Sequence, residues 1–186
     1  MQQIQNQQYV ISGVGGQGVL FITRLLAEAA ILKGLPVFTA ETHGMAQRGG
    51  IVLSHLKVGN FYSPLIRPFQ ADGLIALKAE AFEAHKHYLK PDSWAVVNQK
   101  QGLRQTKNSS FIAIDANHLA KKIDNLRSIN LIMLGFAMAK AGNASNLFCT
   151  KKDLEIVLSQ RLANNKNFHH TALKAFNTGF SEGRNE

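Results

Sequence analysis

The chain has a single cysteine, Cys149, among its 186 residues. An internal disulfide framework is therefore excluded. So is an iron–sulfur cluster held by this chain alone, since such a cluster usually takes four cysteine thiolates. Acidic residues are also scarce: 12 Asp and Glu stand against 21 Lys and Arg, a formal charge of +9. A positive field favours anionic partners, yet the charges are scattered, and the closest basic cluster is Lys100, Arg104 and Lys107. No basic stripe interleaves with aromatics, so nucleic acid is not the expected partner; an acidic protein surface is. Long apolar runs are missing as well, none reaching the ~20 residues that span a bilayer. The opening MQQIQNQQ lacks the basic and apolar regions of a signal peptide, which places the chain, as an expectation, in the cytoplasm and off the membrane.

What is present reads as alternating strands and helices. With 45% hydrophobic residues, the length suits one domain over 1–186, with a sheet-forming part at about 8–127 and a helical part at about 128–182. Tyr9–Ser12 is an apolar strand ending in glycine. Val19–Lys33 is a mostly buried helix, stopped by Gly34 with Pro36 beyond. Val37–Ala40, Ile51–Val58, Gly73–Leu77, Trp94–Val97 and Phe111–Ile114 supply further strands. A helix from about Lys78 to Leu89 is expected to end at Pro91-Asp92, and Asn98–Ser110 reads as a polar loop or hairpin. Asp115 is placed to cap a short helix through Lys122. From Ser128 the chain turns helical: Ile129–Ala141 closed by Gly142-Asn143, a Thr150–Asp153 capping box opening a helix to about Ala163, and Asn167–Phe180. The fold class is α/β, a Rossmann-like, mostly parallel sheet with helices on both faces and a helical C-terminal region.

Two glycine turns carry the chemistry. Gly13-Val14-Gly15-Gly16-Gln17-Gly18 has the G-x-G-x-x-G spacing that opens a dinucleotide-binding βαβ unit. Such a turn aims backbone N–H groups and a positive helix end at one point, and glycine lets a diphosphate approach. Gly13, Gly15, Gly16, Gln17 and Gly18 are accordingly the cofactor-binding candidates; a tight βα turn with no ligand is the equally open alternative. An acid about 20 residues on, at the end of the second strand, would suit a nicotinamide ribose. Glu41, 23 residues past Gly18, does not exclude it. The continuation opposes it: His43-Gly44-Met45-Ala46-Gln47-Arg48-Gly49-Gly50 forms a second glycine turn, and no substrate domain of a dehydrogenase follows.

Together the two motifs resemble the gamma-type subunit of the 2-oxoacid:ferredoxin oxidoreductases. Gly13–Gly18 looks like that family's GxGGQG opening. Pyruvate and 2-oxoisovalerate members commonly carry tyrosine and proline where this chain has His43 and Met45, and HGMAQRGG is closer to the indolepyruvate type's small (beta) subunit. The resemblance is densest over 9–60 and extends more weakly through Asn130–Gly135 (NLIMLG) and the C-terminal helices. It implies an accessory subunit, inactive alone, of a complex that oxidatively decarboxylates a 2-oxoacid to an acyl-CoA and passes electrons to ferredoxin. Thiamine diphosphate and iron–sulfur clusters would sit on partner catalytic subunits, since this chain has no GDG-plus-asparagine element and one cysteine. Coenzyme A is the one cofactor the chain is a candidate to contact; none is expected to be tightly held. His43, Met45, Gln47, Arg48, Gly49 and Gly50 would face the catalytic subunit or the substrate side. The competing readings are an independent NAD- or FAD-binding redox protein and a non-catalytic assembly module.

No catalytic or metal-binding residue is assigned. His43 titrates in a useful range, but no metal-type spacing links it to His55. His85 and His87, two apart, are expected to diverge on a helix, and His169-His170 are adjacent. Cys149 precedes a helix start that could lower its pKa, yet it has no paired base and is expected to be a small buried side chain.

Overall fold

The computed structural model describes residues 6–43, 50–100, 111–144 and 147–185. In chain order these form β1 (Gln7–Val14), α1 (Val19–Leu32), β2 (Val37–His43), β3 (Ile51–Val58), β4 (Ala71–Ala76), α2 (Ala79–His85), β5 (Leu89–Asn98) and β6 (Ile112–Ile114). Helices α3 (Ala116–Lys122), α4 (Ile129–Ala144), α5 (Lys151–Arg161) and α6 (Lys166–Asn185) complete them. The strands make one sheet in the order β2-β3-β1-β4-β5-β6. β1, β4, β5 and β6 pair in parallel, whereas β3 runs antiparallel to both of its neighbours, β1 and β2. The mostly parallel α/β fold expected from the sequence is thus present, with one reversed strand inside it.

Alternation along the strands divides the core. Tyr9, Ile11, Leu56, Ile75 and Val96 face α1 and the helical region, while Val10, Leu53, Leu74, Ala76 and Val97 face the other way with Phe82 of α2. Helix ends follow the residue chemistry. Gly34 takes φ 68 after α1, Asp115 accepts from the His118 N–H at 2.8 Å, and Thr150 with Asp153 forms a reciprocal capping box.

Several boundaries differ from expectation, two of them because strand pairing overrides local preference. β1 continues into the glycine motif because Gly13 and Val14 pair with Val52 and Ile51. The segment Leu89–Ser93 is strand rather than helix end: α2 stops at His85, a 3₁₀ turn spans Lys86–Tyr88, and Leu89 pairs with Ala71. A bulge then absorbs Pro91 and Asp92, with Asp92 at φ 61. Helix α4 runs past Gly142 and Asn143 to Ala144, and α6 extends from Lys166 to Asn185.

The helical region is joined backbone to backbone. A Cβ on Gly135 of α4 would lie 2.0 Å from the Phe176 carbonyl oxygen of α6, and one on Gly179 would lie 1.9 Å from that of Ile132. Gly183 meets the Ala139 Cβ in the same way at 2.7 Å. Small residues four apart on each helix, Gly135 with Ala139 and Gly179 with Gly183, therefore set how closely the two helices approach. Gly179→Ala should lower stability by about 1–3 kcal/mol, the usual cost of overpacking, although alanine is the better helix former. Urea unfolding checks this. A midpoint equal to or above wild type would mean that the helices do not touch there.

Candidate functional site

The first glycine turn occupies the C-terminal edge of the sheet, between β1 and α1. Its shape is set partly by its own glutamine. The Gln17 Oε1 accepts from the Val14 N–H at 2.7 Å, and the Gln17 N–H donates to the Val14 carbonyl at 3.0 Å. Gln17 thus occupies the Val14 N–H and closes that donor to a phosphate.

The four glycines divide by what surrounds them. A Cβ on Gly13 would meet Gln17 Oε1 at 2.9 Å and Leu77 and Val19 carbon atoms at 3.0 Å. One on Gly18, which sits at φ 84, would lie 2.2 Å from Nδ2 of Asn130 at the start of α4. These two glycines serve packing. Gly15 would meet only the Gly50 carbonyl oxygen, at 3.9 Å, and Gly16, at φ 88, would meet nothing within 4 Å. These two face open space: a cleft of about 550 Å³ lined by Gly15, Gly16, Gly18, Leu20, Arg24 and Val52, among others. Among the described residues, the N–H groups of Gly16 and Gly18 have no hydrogen-bond acceptor. They lie at the start of a 14-residue helix with no acid in its first turn, and the exposed Arg24 adds positive charge. The arrangement suits a phosphate or another anion.

Gly50, which closes the second motif, meets the first turn. His43 pairs with Val52, Val52 pairs with Gly13, and the Gly15 N–H donates to the Gly50 carbonyl at 3.1 Å. The β2–β3 connection therefore leaves and re-enters the sheet beside the cleft. Met45, Gln47, Arg48 and Gly49 lie outside the described residues, as does the side chain of His43. Gly50 is the one described residue of that turn to touch the first motif.

Strand order bears on the nicotinamide test. In a dinucleotide fold the second strand adjoins the first, but here β3 is inserted between them. Glu41 pairs with Ser54, which pairs with Ile11. Its backbone is thus two strands, roughly 10 Å, from β1, and the acid is not beside the glycines where a ribose would need it.

On the α2 face lies a cluster that sequence spacing did not reveal. His85 and His87 do not diverge: their ring centroids are 6.4 Å apart and both meet Tyr88. The helix ends between them, which removes the geometry that spacing assumed. The Ser12 Oγ lies 2.7 Å from His85 Nδ1 and donates to the Val52 carbonyl at 3.2 Å. His55, 2% exposed, packs edge-on against Tyr88, and burial with His85 nearby holds its imidazole down at about 4. His85 is lowered too, by burial and then His87. Among the described residues, no three His, Cys, Asp or Glu side chains are grouped to hold a metal ion. Cys149 is buried, and burial outweighs the nearby helix start, pushing its thiol up to about 12. His169 bonds through Nε2 to Ser159 Oγ at 2.9 Å, a link between α5 and α6.

Two expectations follow. Gly15→Ala should leave the melting temperature near wild type while crowding the cleft, whereas Gly18→Ala must displace Asn130 and hold φ 84, a cost of roughly 1–3 kcal/mol. Equal melting temperatures for the two variants would refute the division of roles. His55 is neutral in the fold, and an unfolded histidine takes up its proton near 6.5. Stability should therefore be full above pH 6.5 and fall as pH drops toward 4. His55→Gln should flatten thermal melts recorded across that window; an unchanged slope would place the proton uptake elsewhere.

Residues 8–182 match the family model described as pyruvate ferredoxin/flavodoxin oxidoreductase. An indolepyruvate oxidoreductase subunit IorB from Archaeoglobus fulgidus is 32% identical over 146 residues, covering 68% of this chain and 73% of that one. The protein of the same description from Methanothermobacter thermautotrophicus is 28% identical over 159 residues, 74% and 80% of the two chains. Among solved structures, the gamma subunit of a keto/oxoacid ferredoxin oxidoreductase from Geobacter sulfurreducens superposes with TM-score 0.76 at 25% identity, over 97% of this chain and 99% of that one. A 2-oxoglutarate:ferredoxin oxidoreductase from Magnetococcus marinus, solved with 2-oxoglutarate, coenzyme A and succinyl-CoA, gives TM-score 0.81 at 21% identity. It shares the fold over 99% of this chain, which spans 32% of that longer one. No helix among the described residues is long and apolar enough to cross a membrane.

Proposed function

This chain belongs to the pyruvate ferredoxin/flavodoxin oxidoreductase family, and on that premise we propose that it works as the gamma-type small subunit of a 2-oxoacid:ferredoxin oxidoreductase. The complex decarboxylates a 2-oxoacid, joins the acyl group to coenzyme A and passes the electrons to ferredoxin. Within it this chain acts as one unit on the coenzyme A side and at the subunit interface. The observation that carries the reading is the bond from Gly15 of the first glycine turn to Gly50, the residue that leads into β3, with an open, positively framed cleft beside it.

The residues fit the division of labour. A phosphate of coenzyme A would take the free N–H groups of Gly16 and Gly18 and the charge of Arg24, and glycine at 15 and 16 leaves it room. A single buried thiol offers no ligand set for an iron–sulfur cluster, so clusters and thiamine diphosphate belong to the catalytic partner, where they supply electron transfer and the carbanion chemistry of decarboxylation. Arg48, with His43, Met45, Gln47 and Gly49, faces that partner. Its planar guanidinium suits a carboxylate in two-point contact, which lysine cannot reproduce.

The purified chain alone should show no ferredoxin-linked oxidation of any 2-oxoacid, and reconstitution with its catalytic partner should restore it. Gly15→Ala in the reconstituted enzyme should raise the KM for coenzyme A and leave that for the 2-oxoacid near wild type. Arg48→Ala should weaken assembly or turnover without shifting the free chain's melting temperature. Turnover by the lone chain would overturn the subunit reading. An unchanged KM for coenzyme A in Gly15→Ala would confine the cleft to packing and favour the assembly-module reading, for which the crowded settings of Gly13 and Gly18 already speak.

A further inference from the structure

A second cleft, of about 460 Å³, lies at the opposite end of the sheet, where β3 ends and β1 begins. Its lining includes Lys57, Phe61, Tyr62, Leu65 and Arg67. β3 spans roughly 24 Å between the glycine turns and this cleft at ~3.4 Å per residue, so the two are separate sites.

Four features need a common cause. Lys57 is only 8% exposed, yet among the described residues it has no carboxylate or hydrogen-bond partner, its ammonium lying 5.0 Å from the centre of the Phe61 ring. Arg67, exposed and also without an acidic partner among the described residues, lies close enough to push the Lys57 pKa down, after burial. Two cations held side by side at an open cleft, with no carboxylate between them among the described residues, are stabilised when an anion comes to them. Exposed apolar side chains stand among polar ones at the cleft: Tyr62 is fully exposed and Leu65 more than half exposed, as is Phe69, which follows the lining residue Pro68. Phe69 is also held at φ 61, a strained setting for a bulky residue, by its N–H to the His87 carbonyl at 3.0 Å.

We propose that this cleft is a docking surface for the catalytic partner subunit, receiving an acidic side chain between Lys57 and Arg67 while apolar groups beside it pack on Tyr62, Leu65 and Phe69. Charge complementarity selects the occupant: this chain carries +9, and the exposed Tyr62 and Arg67 that line the cleft are residue types enriched as anchors at protein interfaces. A second copy of the chain would bring the same two cations against them. The inference rests on the subunit reading above and adds a second attachment point, far from the glycine edge.

The test measures association of the full chain with the catalytic subunit of its native complex by titration calorimetry at several salt concentrations. Arg67→Glu and Tyr62→Ala change exposed groups and should each weaken binding at least tenfold. Lys57→Met, which keeps the buried stem, should do the same and reduce the salt dependence. The free chain's melting temperature should be unchanged in Arg67→Glu and Tyr62→Ala. At saturating partner, the KM for coenzyme A should match wild type in both. Wild-type affinity in Arg67→Glu and Tyr62→Ala would overturn the surface while leaving the subunit reading intact. A wild-type dimer in sedimentation that Arg67→Glu dissociates would overturn it in favour of self-association. Failure of the wild-type chain itself to bind would sink both readings.

Discussion

Helix α4 must lie close to everything it touches, and much of the molecule follows from that constraint. Its start places Asn130 where Gly18 has no side chain; its middle places Gly135 against the α6 backbone. Each contact would be blocked by one methyl group. The consequence is mechanical coupling: the turn that frames the candidate cleft is braced by the helix that anchors the C-terminal region. The hydrophobic core supplies the bulk of the driving force, with Ile132, Met133, Leu134 and Phe136 fully buried along the same helix. The glycines decide where that force lets the helix settle. The weak resemblance noticed over NLIMLG thus has a physical content, since its first residue touches the glycine turn and its last touches α6.

Much of this architecture was legible in the sequence because local chemistry and tertiary context agreed. β3 begins and ends where its turn residues put it, at Ile51 and Val58. Gly34, Asp115 and Thr150–Asp153 act as caps. Disagreements arise where pairing overrides local preference. Pro91 and Asp92 carry turn chemistry, yet β4 recruits Leu89 and a bulge absorbs them. The histidine cluster was hidden for a related reason. Spacing on an ideal helix separates His85 from His87, but α2 ends between them and Ser12, 73 residues away, supplies the contact. The cleft's glycines were found by motif, while their division into packing and open positions depends on Leu77 and Asn130, which no local pattern connects to them.

The inserted strand explains why a dinucleotide-type signature sits on a chain that reads as a subunit. Placing β3 between β1 and β2 moves Glu41 away from the glycines and removes the geometry a ribose would require. The same insertion brings the end of β2 and the start of β3 to the edge that holds the glycines, where Gly50 bonds to Gly15. β3 then carries Lys57 to the far end, under the Phe61–Arg67 rim. With both flanks paired, the strand is a rigid spacer between the edge that holds the glycine cleft and the edge that holds the Lys57–Arg67 cleft. A partner held at both ends would have its orientation over the cleft fixed by the sheet itself, which a single flexible loop could not achieve.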